Sequence, residues 1–355
     1  MTKLTGVRAM ALCCAVMTGT AAADCNPFGN SPRPMVQDTT TLTCAGGTMM
    51  TPWPDPDGTT RRACLYEPAS ASITNPLPLI VYIHPSLFTA DTLQAPGMNL
   101  LSFQNTAVLN GDPTRPGFIV VAPEGRATQH FYPTPDDQGT GWDNWYRQID
   151  RRGRDVIVSG VTYPLNVDAA TIDHFIDEEV ATGKVDTRRI YLMGWSNGSA
   201  MGFLYGLNRR RIAAAALYTA PDPFEAFNDP CPQQPVGHRT RSNAELRLSN
   251  RRMPLYHVHN ACDIAGICPN GELLLSQILA VHGRITDVII DGAQAQVIPP
   301  MCDPGCGTNK DGDMSPSAQN MRGFTEGVQN HTRWPDMWTQ RMLTFLGQYR
   351  GHTRN

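Results

Sequence analysis

The stretch of sequence that decides the fold is Arg189-Ile-Tyr-Leu-Met-Gly-Trp-Ser-Asn-Gly-Ser-Ala-Met201. An apolar run precedes its Gly-x-Ser-x-Gly element and residues at helical spacing follow it, so a tight turn should join a strand to a helix. Such a turn would strain the backbone at Ser196, and Gly194 and Gly198 remove the Cβ atoms that would collide there. Ser196 would stand at the N-terminus of a helix, which favours negative charge. The stretch predicts a nucleophilic serine, and the alternative is an ordinary glycine-rich turn.

Outward from this stretch, six short apolar runs are bounded by turn residues. Continuous apolarity is typical of strands that are buried on both faces, as in a parallel sheet covered by helices. Further segments carry apolar residues at helical spacing. This alternation predicts an α/β fold with a mostly parallel central sheet flanked by helices. The runs are residues 63–66, 79–83, 118–122, 190–193, 213–218 and 255–258, and the helical segments are 168–183, 197–208 and 338–346.

The composition excludes two broad classes of protein. Hydrophobic residues make up 41% of the 355 residues and charged residues 17%, whereas disordered chains are rich in charge and poor in apolar residues. The formal net charge is −3, so the chain lacks the excess of positive charge that binds nucleic acid. We therefore expect a folded protein without a nucleic-acid partner.

The N-terminal residues predict export. Residues 1–23 resemble a secretory signal peptide, with Lys3 and Arg8, an apolar stretch over 9–16 and small residues ending at Ala23. The apolar stretch is too short to cross a hydrocarbon core of ~30 Å, so we expect no stable membrane anchor. Residues 24–62 should form an irregular extension and residues 63–355 one catalytic domain. The predicted location is secreted or periplasmic.

Cysteine usage agrees with export. Eight cysteines follow the leader, and an even number in an exported chain predicts disulfides, whose pairing the sequence leaves open. Zinc binding is the alternative, but the spacings lack Cys-x2-Cys and nearby histidines, so we expect no metal site. The cysteines are Cys25, Cys44, Cys64, Cys231, Cys262, Cys268, Cys302 and Cys306.

A serine nucleophile needs a base to take its proton and a carboxylate to orient that base. With this turn the usual chain order is Ser, acid, His. Asp263 directly follows a predicted strand, and Asp222, which follows the preceding strand, is its nearest rival. His331 should lie on a loop just before the final helix. His257 lies within a buried strand pattern, as does His259, and both should be packed or hydrogen-bonded there.

At these residues the chain resembles secreted esterases of the poly(3-hydroxybutyrate) depolymerase and feruloyl esterase group, in the α/β-hydrolase superfamily. The resemblance is carried by residues 194–198, by His259-Asn-Ala-Cys-Asp263 and by Asn330-His-Thr-Arg-Trp-Pro335. It implies an α/β-hydrolase fold with disulfide-rich loops. It also implies hydrolysis of a small-molecule or polymeric ester through an acyl-enzyme by Ser196, Asp263 and His331, without a cofactor.

The chain also departs from the family pattern. The family usually has His-Gly after the first central strand, where backbone N–H groups help to form the oxyanion hole, but here the sequence is His84-Pro85. Proline has no N–H, so the second donor, beside Asn197, should be Ser86 or Leu87. Asn330 replaces a glycine, and Arg333 is inserted.

Aromatic residues cluster near the ends of these motifs. They could bind a hydrophobic ester or pack inside loops, and we predict substrate binding for Trp142, Trp145, Trp195 and Trp334. The insert at residues 299–320 could be a lid or a surface loop.

Several functions share this pattern of residues. The leading prediction is a hydrolase of a hydroxyalkanoate-type polyester or a related ester. The alternatives are a feruloyl or acetyl esterase acting on plant polysaccharide, a hydrolase of a β-diketone polymer, a serine peptidase and, from another class, a non-catalytic binding protein.

Overall fold

The structure is a computed structural model that describes residues 42–55, 60–128, 139–142, 156–158, 161–163, 167–220, 248–264, 267–292, 296–297, 302 and 321–351. The strands are β1 (Thr48–Met49), β2 (Trp53–Pro54), β3 (Thr60–Arg61), β4 (Ala63–Tyr66), β5 (Leu77–Ile83), β6 (Ile119–Pro123), β7 (Arg126–Thr128), β8 (Gly139–Gly141), β9 (Val156–Val158), β10 (Val161–Tyr163), β11 (Val185–Trp195), β12 (Ile212–Tyr218), β13 (Pro254–Asn260), β14 (Arg284–Asp291) and β15 (Gln296–Val297). The helices are α1 (Val167–Ala181), α2 (Asn197–Asn208), α3 (Ile267–Ala280), α4 (Met321–Thr332) and α5 (Trp338–Gly347), with 3-10 turns at Ala90–Gln94 and Leu100–Phe103.

A large mixed sheet organises the described residues. Its strand order is β1-β4-β6-β5-β11-β12-β13-β14-β15. Neighbouring strands from β6 to β14 are parallel, whereas β4 is antiparallel to both of its neighbours and β15 is antiparallel to β14. The predicted mostly parallel sheet is therefore confirmed.

Apolar side chains cover both faces of this sheet. Alternate residues of the central strands pack on one face against α1, α2 and α3, and on the other against α5 and the 3-10 turns. Every residue of β5, β6 and β12 is buried. Burial on both faces explains why these strands are continuously apolar in sequence rather than alternating.

The six predicted strands correspond to β4, β5, β6, β11, β12 and β13, and the three predicted helices to α1, α2 and α5. Sequence reasoning missed β14, α3 and α4. The first half of β14, Arg284-Ile-Thr-Asp, mixes polar and apolar residues, because this end of the strand is partly exposed. The strand therefore lacks the continuous apolar run that is typical of a buried strand. Glycines interrupt α4 at Gly323 and Gly327, which lowers helix propensity.

Part of the predicted N-terminal extension belongs to the sheet. β1 forms its edge by pairing with β4, and the disulfide Cys44–Cys64 joins the two segments. The fully buried Arg61 bonds Asp55 at 3.0 Å and Asp168 at 2.8 Å, so it connects the extension to the first turn of α1. An unpaired charge would be costly at this depth.

The cystine prediction is confirmed where the structure describes the cysteines. Besides Cys44–Cys64, the bond Cys268–Cys302 connects the start of α3 to the segment after β15, and Cys262 is also disulfide-bonded. The other predicted cystines, and most of the insert at 299–320, lie outside the described residues. No helix in the described part of the chain is long and apolar enough to span a bilayer.

Removing the Cys44–Cys64 bond should destabilise the edge of the sheet. The bond closes a loop with a sequence separation of 20 residues, for which the chain-entropy model gives about 3 kcal/mol. We expect the double variant Cys44→Ala, Cys64→Ala to lose about this much free energy of unfolding in urea titrations. A reductant would also open Cys268–Cys302, so both proteins are titrated under non-reducing conditions, and an unchanged midpoint in the double variant would contradict the prediction.

Candidate active site

Ser196 occupies a sharp turn between β11 and α2. Its backbone angles are φ 54° and ψ −123°, a conformation that residues with side chains rarely adopt. The Ser196 backbone N–H donates to Tyr218 O at 3.0 Å, which attaches the turn to the end of β12. The predicted strand–turn–helix around Ser196 is therefore present, with its strained backbone.

The two glycines of the turn are required by close backbone contacts. A Cβ atom on Gly194 would lie 2.8 Å from Gly198 O, and one on Gly198 would lie 2.2 Å from Ile83 O and 2.3 Å from His84 O. These contacts allow the first turn of α2 to pass directly over the end of β5. The spacing of the glycines thus has the steric cause expected from the sequence.

A chain of hydrogen bonds joins the three side chains that the sequence singled out. Ser196 Oγ lies 2.7 Å from His331 Nε2, and His331 Nδ1 lies 2.8 Å from Asp263 Oδ1. A carboxylate can only accept, so the proton of the neutral imidazole is on Nδ1, and Nε2 is left to accept from the serine hydroxyl. All three residues are buried, with 6%, 9% and 3% of their surfaces exposed, in the order Ser196, His331, Asp263.

Asp263 lies just beyond the carboxyl end of β13, and both of its oxygens are hydrogen-bonded. Oδ1 accepts from His331 and from the backbone N–H of Ile264 at 2.7 Å. Oδ2 accepts from the hydroxyl of Thr219. Sequence reasoning missed Thr219, although its position directly after β12 places it at the same sheet edge, where parallel strands end.

His331 lies in the last turn of α4, so the expectation of a loop was wrong. The final carbonyl groups of a helix have no partner within it, and here side chains from the sheet supply partners. Trp195 Nε1 donates to His331 O at 2.9 Å, and Tyr218 Oη donates to Asn330 O at 2.7 Å. Asn330 Nδ2 donates to Cys262 O at 2.9 Å. These bonds attach the helix end to the strands that carry Ser196 and Asp263.

A helical signal for α4 was present in the sequence. Met321, Phe324, Val328 and His331 recur at spacings of three, four and three residues, which is a helical stripe.

Hydrogen bonds of Asn197 and Leu87 bear on the predicted oxyanion hole. The Asn197 side chain is occupied, because its Oδ1 accepts from Trp142 N at 2.8 Å and its Nδ2 donates to Trp142 O at 3.3 Å. This pair fixes the residue whose backbone N–H begins α2. Leu87 N–H donates to Thr140 O at 2.8 Å. Of the two residues considered for the second donor, Ser86 is therefore the better candidate.

Three hydrogen bonds fix His84, the residue directly after β5. Its Nε2 accepts from Gly125 N–H at 2.7 Å, so Nδ1 carries the proton and donates to Pro85 O at 2.7 Å. The His84 carbonyl accepts from Trp142 Nε1 at 2.9 Å. Complete burial lowers the pKa of His84 to about 4, although the hydrogen bond to Pro85 opposes that shift, so the ring is neutral near pH 7.

Burial corrects part of the substrate-binding prediction. Trp142 and Trp334 have no exposed surface and Trp195 has 5%, so in this structure they pack in the interior. Trp334 makes edge-to-face contacts with Trp195 at 5.6 Å and with Tyr218 at 5.2 Å between ring centroids.

Trp145 lies outside the described residues, as does the rival acid Asp222.

One described group of side chains has the composition of a metal site. His257 Nδ1 and His259 Nε2 each lie 2.9 Å from a different oxygen of Asp287, and the two rings are stacked, 9° from parallel. The ligand atoms of the three side chains lie within 4.8 Å of one another. Both histidines are fully buried, which confirms the prediction that they are packed and hydrogen-bonded.

No protein-family model matches this chain, and no curated protein matches it. Solved structures similar to it include a thermostable esterase, with 14% identity and a TM-score of 0.49 over 88% of this chain. The chain spans 65% of the length of that protein. An esterase from the Planctomycetes species Thermogutta terrifontis has 13% identity and a TM-score of 0.44, over 71% of this chain and 83% of the other. A ferulic acid esterase has 13% identity and a TM-score of 0.44, over 69% and 90%.

Because these identities and TM-scores are low, the fold is assigned from the chain itself. The strand order, the antiparallel β4 and the strained serine turn between β11 and α2 decide it. The chain has the α/β-hydrolase fold. The predicted fold class is confirmed.

Acid should weaken the fold through His84. The unfolded chain, whose imidazoles have a pKa near 6.5, binds a proton between about pH 6.5 and pH 4 that the folded His84 does not bind. The free energy of unfolding should therefore fall as the pH falls through this window, by about 3 kcal/mol from this residue.

Urea titrations across this pH window test the expectation. His257 is also buried with a lowered pKa, so His84→Gln should reduce the pH dependence without removing it. Equal pH dependence in the variant and the wild type would rule out the contribution of His84.

Adding one methyl group at Gly198 should disrupt the turn that carries Ser196. The new Cβ of Gly198→Ala would overlap two backbone oxygens of the β5 end, so α2 must shift, and we expect a loss of about 1–3 kcal/mol in free energy of unfolding. Gly351→Ala is the matched control, because its nearest atom is 3.5 Å away. Similar effects of the two changes on the urea midpoint would disprove the steric explanation.

Proposed function

We propose that this protein is a serine hydrolase that cleaves carboxylic esters through an acyl-enzyme. The observation that carries the proposal is the hydrogen-bond chain from Ser196 Oγ through His331 to Asp263. It coincides with a strained backbone at Ser196, which is typical of functional sites. In this proposal Ser196 is the nucleophile, His331 the base and Asp263 the orienting acid.

In the first half of the proposed reaction, Ser196 Oγ attacks the carbonyl carbon of the ester while His331 Nε2 takes the hydroxyl proton. Asp263 stabilises the imidazolium that forms, since it already accepts from Nδ1. The backbone N–H groups of Asn197 and Ser86 would donate to the oxyanion. His331 then gives its proton to the leaving alcohol, and the acyl group remains on Ser196.

In the second half, water replaces the alcohol. His331 Nε2 accepts a proton from the water, whose oxygen attacks the acyl carbon. Collapse of the second tetrahedral intermediate returns the proton to Ser196 Oγ and releases the carboxylic acid. The sequence of steps needs no cofactor, because each proton moves between Ser196, His331, the substrate and water.

We propose a hydroxyalkanoate-type polyester or a related ester as the substrate. The resemblance of residues 194–198, 259–263 and 330–335 to secreted polyester and feruloyl esterases supports this choice. We further propose that the protein acts outside the cytosol, because Cys44–Cys64 and Cys268–Cys302 need an oxidising compartment to persist.

Replacing the nucleophile tests the proposed activity. Wild-type protein should hydrolyse a short p-nitrophenyl ester, and Ser196→Ala should lower kcat by ~10⁴-fold or more. Ser102→Ala is the control, because this exposed serine donates only locally, to Asn99 O, and its kcat should match that of the wild type. Ester hydrolysis that survives Ser196→Ala would refute the proposal.

Two further measurements separate the alternatives. A fluorophosphonate probe should label wild type but not Ser196→Ala, and no labelling would favour a binding protein without catalysis. Purified protein should then be compared on a hydroxybutyrate oligomer, a feruloylated saccharide, a β-diketone and a peptide. Turnover of the peptide or the diketone without the esters would overturn the proposed bond specificity.

A further inference from the structure

Thr219 has an unusual backbone conformation beside the candidate site. Its φ is 52°, in the left-handed region that β-branched residues rarely enter. The residue directly follows β12, between the strand that carries Ser196 and the strand that carries Asp263. Strain of this kind persists only where the surroundings enforce it.

The contacts of Thr219 enforce this conformation. Its backbone N–H donates to Val258 O at 2.7 Å, although β12 has ended. The next residue, Ala220, donates its N–H to His257 Nε2 at 3.3 Å. Because Nε2 accepts, His257 carries its proton on Nδ1 and donates it to Asp287 at 2.9 Å. The turn is therefore held from β13 and, through a buried histidine, from β14.

The strained backbone directs the Thr219 hydroxyl at the acid. Thr219 is fully buried, and its Oγ1 donates to Asp263 Oδ2. The same oxygen lies 3.5 Å from His331 Nδ1. With Oδ2 held by Thr219 and Oδ1 by Ile264 N–H, the carboxylate has one orientation, and in it Oδ1 faces His331.

We propose that Thr219 is a positioning residue that fixes the rotation of the Asp263 carboxylate, so that His331 keeps the orientation needed to take the Ser196 proton. This inference rests on the proposed serine hydrolase function. Thr219 acts through Asp263 and contacts neither the nucleophile nor the reacting atoms of a substrate. Loss of its hydroxyl should therefore slow turnover and leave substrate binding unchanged.

Steady-state kinetics on the p-nitrophenyl ester test the proposal. Thr219→Val keeps the branched shape and removes the donor, and we expect kcat to fall about 10-fold, the effect of one hydrogen bond to a charged group, with KM unchanged. Thr219→Ser keeps a hydroxyl and should restore most of kcat. Thr339→Val is the matched control: it removes a buried hydroxyl that bonds Met98 O and Trp334 Nε1, and its kcat should stay at the wild-type value.

A double-mutant cycle with Asp263→Asn separates positioning from a general structural effect. If Thr219 acts through the carboxylate, Thr219→Val should cause no further loss of kcat in the Asp263→Asn background. An equal 10-fold loss in both backgrounds would overturn the proposal. So would a wild-type kcat for Thr219→Val, or a Thr219→Ser variant as slow as Thr219→Val.

A second variant keeps the test valid if Thr219→Val does not fold. Thr219→Gly removes the hydroxyl and also the backbone strain, because glycine adopts positive φ freely. Relief of the positive φ offsets part of the cost of the cavity and of the lost hydrogen bond, so the variant should fold and yet show the same fall in kcat. A Thr219→Gly protein with full activity would overturn the proposal.

Activity that survives Ser196→Ala would overturn both proposals, whereas inactive Ser196→Ala together with a fully active Thr219→Val would overturn only the role of Thr219.

Discussion

The strained, positive-φ backbone of Ser196 is the constraint on which the rest of the site depends. A conformation of this kind costs about 1–3 kcal/mol, and neighbouring contacts must hold it. The Ser196 backbone N–H bonds Tyr218 O, and the Ser196 carbonyl accepts from the first turn of α2. The close approach of α2 to the end of β5, which only glycine at position 198 permits, prevents the turn from relaxing. The serine hydroxyl is consequently held within hydrogen-bond distance of His331, which lies on another element.

The proposed base, His331, and the proposed acid, Asp263, are held at the same edge of the sheet by different means. Asp263 follows β13, so the parallel sheet itself carries the carboxylate to this edge. His331 comes from a helix outside the sheet and needs separate anchors. Trp195 and Tyr218 provide them by donating to carbonyl groups at the end of α4, and β11 and β12 thereby set the position of that helix end.

Sequence reasoning worked where the local pattern and the tertiary environment agree. Buried parallel strands give continuous apolar runs, and the serine turn needs its two glycines, so most of the central sheet and the strained turn at Ser196 could be predicted. Sequence reasoning failed where the tertiary environment determines the role or the position of a residue. An indole ring has the same sequence signature whether it lines a pocket or, like Trp142 and Trp334, fills the interior. The position of His331 depends on hydrogen bonds to Trp195 and Tyr218. Such bonds join distant segments, so no pattern of residue spacing predicts them.

The described residues contain three histidine–aspartate contacts of nearly equal length, and a comparison of two of them shows why such a contact alone is a weak signal of chemistry. His257 bonds Asp287 at 2.9 Å, and His331 bonds Asp263 at 2.8 Å. The difference lies at the second nitrogen of each ring. His257 Nε2 accepts a backbone N–H from Ala220, so its lone pair is already used, and burial lowers its pKa. His331 Nε2 faces a hydroxyl whose proton it can take. The partner of the second nitrogen therefore separates the proposed base from a structural imidazole, and that partner is determined only when distant segments of the chain meet.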